Sequence, residues 1–243
     1  MHRAPRVHRR LDASLLAVAA IGLGLWVAVW IVILANPTLL ARFYGVDFGL
    51  YTDATRRWLA GGDFYNAYQL AGPYVVSFGD ILYPPPAIVL FAPFTIIPAL
   101  IWWAIPAALV IFAIGRLRPV PWSLVAIVAC LWWPETTFRI LCGDPVMWVV
   151  ALLAVGAIRP FFVPFAMVKP TLSPAAALNI RRRAWWFGLA TFAAISVAFL
   201  PMWPSYLSAL ANVRADVPWA YSLREIPLVA IPWIAWLGRT RYR

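Results

Sequence analysis

An all-α polytopic membrane protein is the fold class this chain predicts, on three observations. Of its 243 residues, 64% are apolar and only 12% are charged, well outside the composition of soluble domains. The mean hydropathy is +0.80. Residues 15–35 (LLAVAAIGLGLWVAVWIVILA) run without a polar interruption, and roughly 20 residues at a rise of 1.5 Å cross a hydrocarbon core.

Taken in order, that first run follows Arg3, Arg6, Arg9 and Arg10. It is longer than the apolar region of a secretory signal, so it reads as a retained signal-anchor. A polar stretch over 36–82 comes next, too long for a tight turn. Within it a helix is expected from Leu50 to Ala60, stopped by Gly61-Gly62 because glycine accepts the left-handed conformation of a helix terminus. Its apolar side, with Leu50, Tyr51, Trp58 and Leu59, is expected to lie on the bilayer. Tyr83-Pro84-Pro85-Pro86 opens the second apolar region, which Pro98 divides into spans near 84–97 and 99–115. Further spans are expected near 119–134, 145–158, 160–178, 184–201 and 223–237, about eight in all. No internal repeat or low-complexity linker divides residues 1–243, which read as a single polytopic membrane domain.

Charge sets the expected orientation. With the N-terminus inside, Arg181-Arg182-Arg183 and the tail arginines Arg239, Arg241 and Arg243 fall inside too, as the positive-inside rule asks. Arg116, Arg118 and Arg159 fall outside in this count. Both termini are thus expected in the cytoplasm and loop 36–82 on the far side. The formal charge of +11 suits topology and anionic lipid. No basic surface with interleaved aromatics accompanies it, so nucleic acid is excluded as a partner. Nineteen of the 20 basic residues are arginine and only Lys169 is lysine, a bias of G+C-rich genomes that points to a bacterial inner membrane. Cys130 and Cys142 lack ligand-type neighbours and read as small apolar residues.

Candidate chemistry gathers in the polar stretch. Three of the nine acidic residues, Asp47, Asp53 and Asp63, stand within 46–65 beside Arg56 and Arg57. Asp47 suits either a helix N-terminus or general-base work. Asp53 is placed to pair with Arg56 or Arg57 on one helix face, and Asp63 to stabilise a turn after the glycines. Lys169 is a charge inside an apolar segment, so it must face a cavity, find a partner or snorkel to a surface. No Asp-x-Asp pair or His/Cys cluster is present. No metal site built by the protein is expected, and a loosely held divalent cation stays open.

These motifs resemble the polyprenol-phosphate-sugar-dependent glycosyltransferases of family 87, membrane enzymes of the GT-C architecture. The resemblance rests on Asp47-Phe48, Tyr51, Ala54, Gly61-Gly62-Asp63-Phe64-Tyr65, Tyr83-Pro84-Pro85, Lys169-Pro170 and Arg181-Arg182-Arg183-Ala184-Trp185-Trp186. It covers the N-terminal part of the family's length, and Gly143-Asp144 stands where many relatives have Gly-Gln. It implies an inverting transfer of a mannose- or arabinose-type sugar from a polyprenyl-phosphate donor to a cell-envelope glycolipid or glycan. By the same resemblance Asp47 is the catalytic base, and Tyr51, Asp53, Arg56, Tyr83 and Lys169 are candidate substrate-binding residues. Tyr51 would contact the sugar or anchor at the interface, and Lys169 would face the donor phosphate. Two other readings stand beside it. One is a shortened, non-catalytic relative that binds lipid-linked sugar or supports a complex. The other is a transporter, which broken helices and an intramembrane lysine would suit; the gathering of acidic residues in the outer loop argues against it.

Overall fold

Proline placement decides which apolar segments become long helices. The computed structural model describes residues 6–77, 79–214 and 223–240, and these form helices with no β-strand among them. Helix α1 (Arg6–Leu34) contains 25 residues apolar and long enough to cross a membrane, about 37 Å at helical rise. It touches the rest of the fold chiefly through one neighbour, α7 (Pro121–Leu131). There Gly22 admits the Val128 side chain, 2.8 Å from where a Cβ would stand, and its carbonyl accepts a hydrogen bond from the Trp132 indole at 3.0 Å. Helix α6 (Leu100–Leu117) is the second of spanning length.

Two bent helix pairs are long and apolar enough to be further candidate spans. Helices α7 and α8 (Pro134–Cys142) meet at 65°. Pro134 forces Trp133 into an extended conformation (φ −63°, ψ 125°) and so ends the first helix. Helix α10 (Arg183–Ala198) and the 200–211 segment, ending in α11 (Trp203–Ala211), meet at 66° around Pro201 and Pro204. Helices α9 (Val146–Gly156) and α12 (Ile226–Leu237) have 11 and 12 residues, only about 16–18 Å each, so each reaches half-way.

Two expected spans take another form. Residues 84–97 make a short buried piece, a 3₁₀ turn (Pro85–Ala87), α5 (Ile88–Phe91) and a second 3₁₀ turn (Ala92–Thr95). Residues 160–178 make two 3₁₀ segments, Pro160–Val168 and Pro170–Ala177, joined at an extended Lys169 (φ −113°, ψ 94°). Pro160, Pro164, Pro170 and Pro174 carry no backbone N–H, and a continuous α-helical ladder cannot form across them. The segment folds back on itself. It leaves the end of α9, reaches its apex at Lys169 and returns to Asn179, whose amide donates to the Gly156 carbonyl at 3.2 Å.

That correction resolves the charge count. Neither 84–97 nor 160–178 crosses as a single helix, so the segments between them reverse direction and those after 178 keep theirs. The end of α6 meets the end of α12, where Thr240 N donates to the Arg118 carbonyl at 3.3 Å and Val120 N to the Gly238 carbonyl at 2.8 Å. Ile158, next to Arg159, shares a cavity wall with Arg182, Arg183 and Arg239. The arginines that the eight-span count put outside therefore lie at the same basic end as the rest.

The opposite end is built by the 36–82 stretch, with α2 (Pro37–Phe43), α3 (Val46–Leu59) and α4 (Ala67–Ala71). It is tied to the end of α11 by Asn212, whose side chain donates to the Gln69 carbonyl at 2.9 Å, and by Arg214 N to the Tyr74 carbonyl at 2.7 Å. Helix α3 begins four residues before its expected start, and its apolar side faces protein. Tyr51 is buried against Phe91 and Tyr83, and Trp58 packs on Phe199; Leu59 stays exposed. Rings of Phe48, Trp102, Phe94 and Trp148 continue that core beneath α3.

Two measurements check this architecture. Gly188→Ala puts a Cβ inside the envelope of the Phe161 carbonyl oxygen, where α10 packs on the folded-back segment. Overpacking of this kind costs about 1–3 kcal/mol, so a clear loss of thermal stability in detergent is expected, and an unchanged melting curve would disprove the packing. Ser77→Cys and Arg181→Cys, both at exposed positions, should react with an impermeant maleimide from opposite faces of sealed vesicles. Labelling of both from one face would refute the two-ended arrangement.

Candidate functional site

Four ionisable side chains meet in the interior. Arg139 comes from the last turn of α8, Asp144 from the turn into α9, Lys169 from the apex of the folded-back segment and Glu225 from the start of α12. They are 2%, 4%, 8% and 1% exposed. Lys169 Nζ lies 2.7 Å from Glu225 Oε1 and 3.4 Å from Asp144 Oδ1. Arg139 Nη1 lies 2.9 Å from Asp144 Oδ2 and 3.7 Å from Glu225 Oε1. The two basic and two acidic side chains alternate, so with all four charged the group is neutral and each charge has an opposite neighbour, as burial at this depth requires.

Local sequence places each member. Gly143, at φ 75°, turns the chain from α8 into α9, and a Cβ there would stand 2.8 Å from the Trp103 ring and 3.0 Å from Phe48 Cβ. The Trp102 indole donates to the Gly143 carbonyl at 2.8 Å, and that of Trp103 to the Ile140 carbonyl at 2.7 Å. Asp144 then caps α9 by accepting from Val146 N at 2.8 Å, and its Oδ1 also accepts from the Tyr83 hydroxyl at 3.4 Å. Lys169 Nζ sits 5.5 Å above the centre of the Tyr83 ring. On the outer side, Glu135 bridges Arg139 Nε at 3.7 Å and the exposed Arg224 at 3.4 Å.

Asp47 stands at the rim of this cluster. Gly45 N donates to the Leu141 carbonyl at 3.0 Å and docks the start of α3 on the end of α8. Gly45 is the cap residue and Asp47 lies in the first turn. Its carboxylate is half-buried and makes no hydrogen bond or ion pair with the described residues. Burial, and after it the nearby Asp144 charge, push the Asp47 carboxyl up to about 7, against the pull of Arg139 and Lys169.

No family model, curated protein or solved structure matches this chain.

Of the residues singled out by sequence, Asp47, Tyr51, Tyr83 and Lys169 come together: Tyr51 meets Tyr83 edge-on at 5.0 Å, and Tyr83 touches Asp144. Tyr51 lies in the aromatic core and does not anchor at a bilayer surface. Lys169 neither snorkels nor stands free; it is a buried ion-pair partner. Asp53 and Arg56 are not brought to the cluster. They pair with each other at 2.6 Å on an exposed face, and Arg56 also donates to the Thr95 carbonyl at 3.2 Å. The turn after Gly61-Gly62 is held by Arg57, which donates to the carbonyls of Asp63 at 2.7 Å and Phe64 at 2.8 Å.

Arg139, Asp144 and Glu225 were not singled out by sequence. The signal that marked Lys169, a charge beside or within apolar sequence, was present at all three. Their burial also removes the argument that the acidic residues gather only in the outer stretch.

Lys169→Met leaves Glu225 and Asp144 short of a cation, and breaking a buried pair typically costs about 3–5 kcal/mol. The double variant Lys169→Met/Glu225→Met removes one charge of each sign and should recover most of that loss. Thermal unfolding in detergent reads both, and a single variant as stable as the parent would show that the pairs are not formed.

Proposed function

We propose that the protein is a membrane glycosyltransferase that moves a sugar from a polyprenyl-phosphate donor to an acceptor at the membrane surface, with Asp47 as general base. The observation that carries the reading is the Asp47 carboxylate: half-buried, without a hydrogen-bonding partner among the described residues, and raised to about 7. A base with a pKa near the working pH combines a useful deprotonated fraction with real proton affinity. In an inverting transfer it takes the proton of the acceptor hydroxyl as that oxygen attacks the anomeric carbon and the lipid phosphate departs.

An apolar cavity beside the cluster supports a lipid-linked donor. An apolar cavity of about 550 Å³ lies between the Pro170–Ala177 segment and α12, lined by Leu172, Pro174, Val229 and Trp233 among others. It starts beside the ion cluster, since Thr171 follows Lys169 by two residues and Ile226 follows Glu225 directly. A mannose- or arabinose-type sugar and a cell-envelope glycolipid or glycan acceptor rest on the motif resemblance. The orientation with loop 36–82 outside and both termini in the cytoplasm rests on the placement of the arginines, and the bacterial inner membrane on the near-exclusive use of arginine over lysine.

One observation favours a second reading, a non-catalytic relative that binds lipid-linked sugar: both buried cations already have carboxylate partners. Transfer from radiolabelled polyprenyl-phosphate sugar in membranes carrying the chain separates the two. Asp47→Asn should lower the rate by roughly 10²–10⁴-fold with donor binding kept. The parent rate should rise with pH through about 7 as Asp47 loses its proton, and that inflection should vanish in the variant. Parent-level transfer by Asp47→Asn would remove Asp47 as the base. Donor binding without transfer by the parent would establish the second reading.

A further inference from the structure

Two carboxyl groups at the centre of the molecule have oxygens that no donor satisfies. Glu225 is 1% exposed. Its Oε1 faces Lys169 Nζ at 2.7 Å and Arg139 Nη1 at 3.7 Å. Its Oε2 is buried and accepts no hydrogen bond from the described residues. A carboxylate oxygen in that state gives up its hydration with nothing in return. Asp47 is half-buried and likewise makes no hydrogen bond or ion pair with the described residues. Asp144 differs from both. Arg139 donates to its Oδ2, while Val146 N, the Tyr83 hydroxyl and Lys169 donate to its Oδ1.

The balance of charge leads to the same two groups. Among the described residues, the cations Arg139 and Lys169 face the carboxylates of Asp47, Asp144 and Glu225, all within one another's fields. Glu135, on the outer side, is matched by the exposed Arg224. The Tyr83 hydroxyl and the Cys142 thiol, which also feel Asp47, are of types that carry no charge at neutral pH. With all three carboxylates ionised, this interior holds one negative charge in excess, which burial opposes. One proton removes the excess. Asp144 is engaged at both oxygens, so Asp47 and Glu225 are left to take it.

We infer that Asp47 and Glu225 hold one proton in common, each ionised when the other is protonated. With the proton on Asp47, Glu225 is charged and the quartet is neutral. With the proton on Glu225 Oε2, the quartet carries one positive charge and faces an ionised Asp47. Both states are neutral overall, and such a pair titrates as a unit. Glu225 is then a positioning residue for the proposed base, because it lets Asp47 ionise without leaving a net charge inside. The inference rests on the proposed function only for the use this proton serves.

The test is infrared spectroscopy of the full chain in detergent at about pH 6, where exposed carboxylates are ionised. The carbonyl band of the parent should amount to one protonated carboxyl. Asp47→Asn and Glu225→Gln should each abolish that band, although each leaves the other carboxyl in place, because two cations then face two carboxylates. A band surviving in either variant would give the proton to one residue alone and overturn the sharing. So would a parent without the band. Melting curves check that the variants are folded. The parent labelled with ¹³C-glutamate needs no variant: part of the band should shift, and a band that shifts wholly or not at all would overturn the sharing. In the transfer assay, Glu225→Gln removes a charge that raises the Asp47 carboxyl, so the inflection near 7 should fall by about one pH unit or more. An unmoved inflection would remove the positioning role. A parent without transfer would refute the proposed function and leave the infrared results to decide the sharing.

Discussion

The buried quartet of Arg139, Asp144, Lys169 and Glu225 is the constraint on which the other features depend. Each member comes from a different segment, and none is tolerable at that depth alone, because an isolated charge in an apolar interior loses several kcal/mol of hydration. Pairing makes their burial possible only if α8, the turn into α9, the apex of 160–177 and the start of α12 all arrive together. The contacts that surround them serve that meeting. Gly143 allows the chain to turn inside the Trp102 and Trp103 rings, and Lys169 is carried inward by a segment that its prolines keep from becoming a straight helix.

Depth follows from helix length. From the quartet to the basic end, α9 and α12 run about 16–18 Å, against about 37 Å for the spanning part of α1. The charges therefore sit near the middle of the long dimension. Asp144 caps α9 and Glu225 precedes α12, so two half-length helices present their positive ends to carboxylates. The remaining depth is filled from the other side by the 36–82 stretch, which brings the first turn of α3 and Asp47 down to the rim.

Hydropathy in the sequence identifies apolar segments but not their direction. It therefore finds α1 and α6 and misreads 84–97 and 160–178 as crossings. The prolines that break those segments were legible. Their effect on the direction of the segments between them was not, until the chain end at Thr240 met Arg118 and the basic residues fell to one side. The quartet was legible by a quarter. Lys169 stood out as the single lysine in an apolar run, whereas Arg139, Asp144 and Glu225 sit at segment ends, where a charge looks like a boundary. Their mutual distance in sequence, up to 86 positions between Arg139 and Glu225, hides that they neutralise one another. Asp47 was legible as a candidate through its motif, but its raised pKa depends on burial by other segments.

That last dependence links the quartet to the proposed chemistry. Arg139 and Lys169 pull the Asp47 carboxyl down, while burial and Asp144 push it up. Had the two cations been free, their fields would have held Asp47 nearer its ordinary value of 3.8, ionised but weakly basic at neutral pH. Asp144 and Glu225 largely neutralise the cations at close range, and what remains at the rim is dominated by desolvation. The same carboxylates that make the buried cations tolerable thus leave Asp47 with the proton affinity a general base needs. On this view the neutrality of the quartet, which withholds a free cation from a donor phosphate, is also what keeps the proposed base poised near pH 7.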